Sequence, residues 1–363
     1  MNAPTSASPA DEPSAVTERN WSNLITVLLG GTDLSAADTE WAMNEIMSGS
    51  ATDAQVAGFA IALRAKGESV SEVTGLAEGM LGNAVGLQVP GPSLDIVGTG
   101  GDRAHTVNVS TMAAIVSAAA GARVVKHGNR AASSSCGTAD VLERLGVVLD
   151  LPPHMTARVA EEAGITFAFA PMFHPSLKFA AKPRRELAVP TVFNFLGPLT
   201  NPARPTTSAI GVFDEAMCET IAGVFARRGS DALVFRGDDG IDELTISTTS
   251  TVWVVRGGRA RREVLDPVEL GIPRSAQDAL RGGDVEFNAR AVRETVEGRK
   301  GPVRDAVLLN AGAALAAVDG VEGSLTEAVR SGCERAAQAI DSGAARHALE
   351  TWVETSQAHA KHV

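Results

Sequence analysis

From Leu94 onward, short apolar runs alternate with helical segments, and this alternation restricts the fold more than any other feature of the chain. Leu94 to Val97 reads as a strand, Ser110 to Gly121 as a helix and Arg123 to Val125 as a second strand, a β-loop-α-β unit. The pattern recurs: helix Ala139 to Leu145 with strand Val147 to Leu149, then helix Ala157 to Ala163 with strand Thr166 to Phe169. Later come strand Ala209 to Phe213, helix Glu215 to Arg228 and strand Ala232 to Phe235, and beyond Asn310 the chain is Ala-rich and helical. The expected fold is α/β, with a largely parallel central sheet flanked by helices.

The segment before it obeys a different period. Trp21, Leu24, Ile25, Leu28 and Leu29 share one helical face, and further helices start at Ser35, at Thr52 with Gln55 three residues on, and at Ser69 with Glu72 three on. No strand signal interrupts Trp21 to Ala84, so a smaller all-α domain of about four short helices is expected. The Pro-rich stretch Pro171 to Pro205, with a helical piece near Leu177 to Leu187, breaks the later alternation and is assigned in part to the helical domain. The expected organisation is a flexible tail over 1–20, a helical domain over 21–92 and about 175–205, and the α/β domain over 93–174 and about 206–355.

With 44% hydrophobic and 21% charged residues among 363, the chain has the balance of a globular protein with a real core. The first twenty residues carry no apolar stretch of the signal-peptide kind, and the longest apolar run, Met112 to Ala122, is short for a membrane span and reads as a buried helix. Cys136, Cys218 and Cys333 are odd in number and in no ligand spacing, which fits a reduced cytoplasmic compartment. A net charge of −11 opposes a nucleic-acid partner, so an anion bound here needs a local positive pocket.

Gly98-Thr99-Gly100-Gly101-Asp102 leaves a strand and leads to a helix, a position where main-chain amides cradle anions. Arg103 stands where a dinucleotide fingerprint needs glycine, and the Gly-Lys-Ser/Thr ending of a P-loop is missing. Taken alone, the loop also fits a tight turn without a ligand, the lesser of the two readings. Asp102 is suited to a sugar hydroxyl or a metal, and Asn108-Val109-Ser110-Thr111 add amide and hydroxyl groups at the helix start, where Ser110 also fits a helix cap.

The second strand delivers Lys126-His127-Gly128-Asn129-Arg130, then Ala131-Ala132-Ser133-Ser134-Ser135-Cys136, a set of cations, amide and hydroxyls suited to an anion. If the two strands are adjacent and parallel, both loops lie at one sheet edge. Asp238, Asp239, Asp242 and Glu243 follow the strand Ala232 to Phe235; they fit Mg²⁺ bound through one or two carboxylates and substrate phosphates, or a solvated turn.

These elements, together with Gly137-Thr138-Ala139-Asp140, His174-Pro175, Arg184, Thr191 to Asn194, Gly197 to Pro202 and Asp239 to Leu244, occur in an order and spacing that resembles the anthranilate phosphoribosyltransferases. The resemblance runs from about Trp21 to Ala317. It implies a pentosyl transfer in tryptophan biosynthesis, from phosphoribosyl pyrophosphate to anthranilate. By resemblance, phosphoribosyl pyrophosphate is bound by Gly98, Gly101, Asp102, Thr106, Asn108, Val109, Ser110, Thr111, Lys126, His127, Gly128, Asn129, Arg130, Ala131, Ala132, Ser133, Ser134 and Thr138. Anthranilate falls to Gly98, Asn129 and Arg184, and two Mg²⁺ ions to Ser110, Asp242 and Glu243. The resemblance also implies a homodimer through the helical domain, and the chemistry calls for no covalent nucleophile and no obligate base.

Two positions depart from the family pattern: Arg103, where glycine is common, and Cys136, where a small residue such as serine is common. Alternative readings are a pyrimidine nucleoside phosphorylase, disfavoured by His127-Gly128-Asn129-Arg130 in place of Ser-Gly-Arg-Gly, a non-catalytic relative that binds nucleic acid, and a transferase for another aromatic amine.

Overall fold

The computed structural model describes Val16, residues 18–130 and residues 136–361. Most of the expected tail, and Ala131, Ala132, Ser133 and Ser134 of the second loop, lie outside the described residues. Val16 is buried, Arg19 pairs with Asp38 at 2.9 Å and Asn20 caps the first helix, so packed chain begins before residue 21.

The chain divides into two units, Met1–Ala84 with His174–Thr200, and Val85–Phe173 with Asn201–Val363. Residues 85–92, read above with the helical domain, belong to the second unit because the main chain is tied there. Val85 N donates to Phe173 O, Leu87 N to Pro202 O, and Leu87 is buried with Val125, Ala168 and Phe173.

The first unit contains α1 (Trp21–Leu29), α2 (Ala36–Met47), α3 (Asp53–Lys66), α4 (Val70–Gly82) and the later α9 (Lys178–Leu187), which packs on α2 and α3. Thr52 and Ser69 each cap a helix reciprocally with the residue three further on, as the sequence pattern predicts, and Ser35, expected only as a helix start, does the same with Asp38. Glu72 is fully buried and ties this unit together: it accepts from Leu34 N at 3.0 Å and Ser69 N at 2.8 Å and pairs with Lys66 at 2.9 Å. Truncating it orphans buried donors and one side of an ion pair. Glu72→Ala is expected to cost about 3 kcal/mol of stability, read as an earlier urea transition; an unchanged midpoint would show that the pair carries no net weight.

The second unit holds β1 (Leu94–Gly98), α5 (Val109–Ala119), β2 (Val124–Gly128), α6 (Thr138–Leu145), α7 (Pro153–Ala163), β3 (Ile165–Phe169) and α8 (Ala170–Phe173). It continues with β4 (Thr207–Gly211), α10 (Glu215–Arg228), β5 (Asp231–Gly237), β6 (Ser250–Arg256), β7 (Arg259–Leu265), α11 (Val285–Val296), α12 (Pro302–Asp319), α13 (Leu325–Asp341) and α14 (Ala344–Ala360). The sheet order is β3-β2-β1-β4-β5-β6-β7. The pairings from β3 to β5 are parallel and the last two antiparallel. The expected α/β sheet is thus mostly parallel, with an antiparallel margin that the alternation did not reveal. Its two-residue turn, Gly257-Gly258, has positive φ at both positions, the backbone that joins twisted antiparallel strands.

Helix α5 covers the centre of the sheet. Its Ala-rich sequence lets it pack against β1, α12 and α14 at once, and Met112 to Val116 are wholly buried. Among the described residues no helix is long and apolar enough to cross a membrane. One expected strand is absent: Val147 to Leu149 is buried but pairs with no strand. Its main chain is held by α14, Val148 N donating to Ser356 Oγ at 3.1 Å and Gln357 Nε2 to Gly146 O at 2.9 Å.

Candidate active site

Strands β1 and β4 end opposite each other, Gly98 paired with Gly211, and a loop from beyond β5 lies directly on both. A Cβ on Gly211 would fall 1.6 Å from Asp242 O, and one on Gly98 would fall 2.1 Å from Asp242 Oδ2. Both positions therefore exclude a side chain. The glycine loop then turns with φ of 67° at Gly100 and 94° at Gly101, which glycine adopts without strain. Gly100 N donates to Asp242 Oδ2 at 2.7 Å, Thr99 N to Gly211 O at 2.9 Å and Ala104 N to Asp102 Oδ1 at 3.1 Å. Arg103 and His105 are exposed and also have positive φ, 59° and 53°. A non-glycine residue pays about 1 kcal/mol for that backbone, a cost that glycine at position 103 would not carry.

The acidic loop is held from below by Asn310 of α12. Its Oδ1 accepts from Leu244 N at 3.0 Å and its Nδ2 donates to Leu244 O at 2.9 Å. Of the four acids singled out by sequence, Asp239 accepts from Thr245 Oγ1 at 2.7 Å and from Ser247 Oγ, and Asp238 accepts from Thr251 Oγ1 at 3.0 Å and from Thr249 Oγ1. Those two shape the loop. Asp242 and Glu243 instead meet Asp102, and one carboxylate oxygen from each of the three lies within 4.8 Å of the others.

Three close carboxylates are unfavourable without a cation. Burial, then the charge of Asp102, raises the Asp242 carboxyl to about 8, and burial with the neighbouring acids holds Glu243 well above the usual carboxylate range. Glu243 Oε2 is enclosed with no hydrogen-bond partner among the described residues. An all-oxygen donor set with an orphaned oxygen fits Mg²⁺, which prefers a few carboxylates and keeps other positions for water or phosphate.

Lys126 is fully buried beneath this cluster. Its Nζ donates to Ile96 O and to Ser110 Oγ at 3.2 Å, and burial lowers its pKa to about 8 against the pull of Asp95, Glu243 and Asp242. Asp95, hidden within the apolar run of β1, accepts from His127 N at 3.1 Å and Asn201 Nδ2 at 2.9 Å, and burial raises it to about 6. Sequence reasoning counted Asp95 as part of an apolar strand; a lone carboxylate in such a run was the missed signal.

The remaining residues from the motifs fall into three groups. Asn108, Ser110, Gly128 and Thr138 stand at element ends on the same sheet edge. Thr106 bridges to Arg281. Asn129 is exposed, and its Oδ1 accepts from Arg130 N at 2.7 Å. Val109, Thr111 and His127 have buried side chains, and their amides are bonded within the fold, Val109 N to Val107 O, Thr111 N to Asn108 O and His127 N to Asp95 Oδ1. Arg130 is engaged elsewhere: its guanidinium forks onto Glu143 at 2.6 and 2.8 Å, meets Asp140 at 3.1 Å and lies over the Phe169 ring. Arg184 belongs to the helical unit, where it is half-buried 5.7 Å from the Phe193 ring centroid; desolvation lowers its pKa with no acid opposing. Cys136 is buried, which pushes its thiol up and argues against a nucleophile.

Fold and site together define a class of protein with a helical bundle and a mostly parallel α/β unit whose glycine loop meets a cluster of three carboxylates. The glycosyl transferase family profile matches as its helical bundle domain over residues 22–84 and its a/b domain over residues 91–346. An anthranilate phosphoribosyltransferase of Thermobifida fusca (strain YX) is 74% identical over 95% of this chain and 99% of its own. That of Salinispora arenicola (strain CNS-205) is 58% identical over 94% and 98%. Among solved structures, the Thermus thermophilus enzyme superposes with a TM-score of 0.86 at 39% identity, over 92% of this chain and 99% of that one. The Saccharomyces cerevisiae enzyme in complex with PRPP and Mg superposes at 0.84 and 26% identity, over 94% and 99%. The chain belongs to the anthranilate phosphoribosyltransferase family.

Because Gly211 admits Asp242, Gly211→Ala is expected to push the acidic loop off the sheet. Mg²⁺ affinity in the presence of pyrophosphate, measured by titration calorimetry, should fall about tenfold to a hundredfold. An unchanged affinity would mean that the loop relaxes without moving the carboxylates.

Proposed function

We propose that the protein transfers the 5-phosphoribosyl group of phosphoribosyl pyrophosphate to the amine of anthranilate, giving N-(5-phosphoribosyl)anthranilate and pyrophosphate. The observation that carries this reading is the meeting of Asp102, Asp242 and Glu243 beside the Gly98–Asp102 loop, at the edge where β1 and β2 both deliver their loops. The relatives' names and a neighbour's complex with PRPP and Mg supply the substrate identities.

In this reading the C1–N bond forms as the C1–O bond to pyrophosphate breaks. Positive charge builds on the ribose, negative charge on the leaving group, and the amine proton passes to solvent. Thr99, Gly100 and Ala104 use their amides within the site, so the amides to receive the pyrophosphate are others of the glycine loop, such as that of Gly101, and that of Ser110 at the start of α5. Two Mg²⁺ ions, held through Asp102, Asp242, Glu243 and the Ser110 hydroxyl, would neutralise charge on the diphosphate. Lys126 holds Ser110 from behind and offsets the acids. No side chain forms a covalent bond to the sugar, and His127, buried in β2, is not required as a base.

Arg184, with no acid opposing its desolvation, is the partner for the anthranilate carboxylate, and Asn129 and Gly98 complete the acceptor contacts. The family's homodimer, formed through the helical domain, and a cytoplasmic location belong to the same reading.

Mixing the protein with phosphoribosyl pyrophosphate, Mg²⁺ and anthranilate should consume anthranilate fluorescence; no loss would refute the reading. Glu243→Gln should raise the Mg²⁺ concentration needed for half-maximal rate by about tenfold or more. Arg184→Ala should raise the KM for anthranilate about a hundredfold, as expected for a charge-assisted pair worth about 2–3 kcal/mol, while the KM for phosphoribosyl pyrophosphate stays put.

A further inference from the structure

Most helices here that begin with a capping residue use it. The side chains of Asn20, Ser35, Thr52, Ser69, Asp214, Asp284 and Ser324 all accept from a main-chain amide of the first turn. Asn108 occupies the same position before α5 and makes no such bond. Its amide is turned aside into a relay. Asn288 Nδ2 donates to Asn108 Oδ1 at 3.0 Å, and Asn108 Nδ2 donates to Cys136 O at 3.3 Å.

The direction of this relay is fixed at both ends. Gly283 N–H, which can only donate, reaches Asn288 Oδ1 at 2.9 Å, so the Asn288 NH₂ must face Asn108. Cys136 C=O, which can only accept, sets the other end, so Asn108 must present its oxygen to Asn288. Asn288 itself is buried on α11, where an unpaired amide would be costly, and the segment before it is laced to the glycine loop's continuation. Val107 N donates to Leu280 O at 2.9 Å and Gly282 N to His105 O at 2.7 Å.

We propose that Asn288 is a positioning residue which holds the Asn108 side chain away from its own helix, so that Ser110 N stays open to the pyrophosphate group, the neighbouring amides being bonded already, Val109 N to Val107 O at 2.6 Å and Thr111 N to Asn108 O at 3.1 Å. This rests on the phosphoribosyl pyrophosphate reading above. The same relay joins the chain after the glycine loop to Cys136, so one buried amide on α11 holds both. Without its donor, Asn108 Oδ1 turns back to cap α5 and competes with the anion.

The test is steady-state kinetics of Asn288→Ala and of the near-isosteric Asn288→Asp, which keeps the acceptor for Gly283 N but faces Asn108 Oδ1 with a second oxygen. Both should raise the KM for phosphoribosyl pyrophosphate, and the inhibition constant of added pyrophosphate, by about tenfold, with kcat within about threefold and the anthranilate KM unchanged. In an Asn108→Ala background the further effect of Asn288→Ala should vanish. The proposal is overturned if both variants keep the original phosphoribosyl pyrophosphate KM, if the effects are fully additive, or if kcat and both KM values shift together with a lowered melting temperature in the Asp variant. Failure of the underlying reading looks different, since the unaltered protein would then not consume anthranilate at all.

Discussion

Everything at the site depends on how closely one loop approaches the sheet edge. Gly98 and Gly211 face each other across β1 and β4, and the Asp242 main chain and carboxylate occupy the space their side chains would fill. That approach lets Gly100 N–H reach the Asp242 carboxylate and brings Glu243 to Asp102. A carboxylate pressed into this position loses water, and what it gains in return is one main-chain donor, a buried ammonium and a place for a cation. The glycines at 98 and 211 therefore serve electrostatics through sterics. Asn310, bonding both main-chain groups of Leu244, fixes the same loop from its other side.

Beneath the acids runs a second layer of buried polarity, Lys126 with Asp95 and Asn201. Such pairs add little net stability, because desolvation cancels much of the attraction, but removing one partner leaves the other exposed to the full penalty. Their consequence here is positional. Asn201 Nδ2 bonds both Asp95 Oδ2 and Val125 O, which locks β1 to β2 just before their loops begin. Lys126 then fixes the Ser110 hydroxyl at the start of α5. The layer converts strand register into the placement of helix and loop.

The sequence makes some of this legible and hides the rest for identifiable reasons. Capping pairs such as Thr52 with Gln55, and the glycine loop itself, are local chemistry and read directly. Val147 to Leu149 has the composition of a strand, yet its main-chain bonds go to α14 at the far end of the chain, and no local pattern signals that. The β6–β7 hairpin carries a local mark in Gly257-Gly258, which lies outside the helix-strand alternation. Asn288 and Asn310 are single amides inside helices, where periodicity predicts only burial. Their importance lies in what they touch, and the partners come from distant chain.

Lys126 shows where residue type and motif order stop being sufficient. A lysine at a strand end beside a phosphate loop suggests a phosphate contact, but successive residues of a strand face opposite sides of the sheet. Val124 packs into the cluster built around α5, and Val125 into the separate cluster with Leu87 and Phe173. Lys126 shares the side of Val124, so its ammonium meets Ser110 of α5 below the edge, and His127 falls on the other side. Both side chains lie within the sheet, and Gly128 is the last residue of the strand in register with β3, from which the chain leaves the sheet. Within the sheet the Lys126 ammonium thus lies among Ile96 O, the Ser110 hydroxyl and the charge of the buried acids, which it offsets.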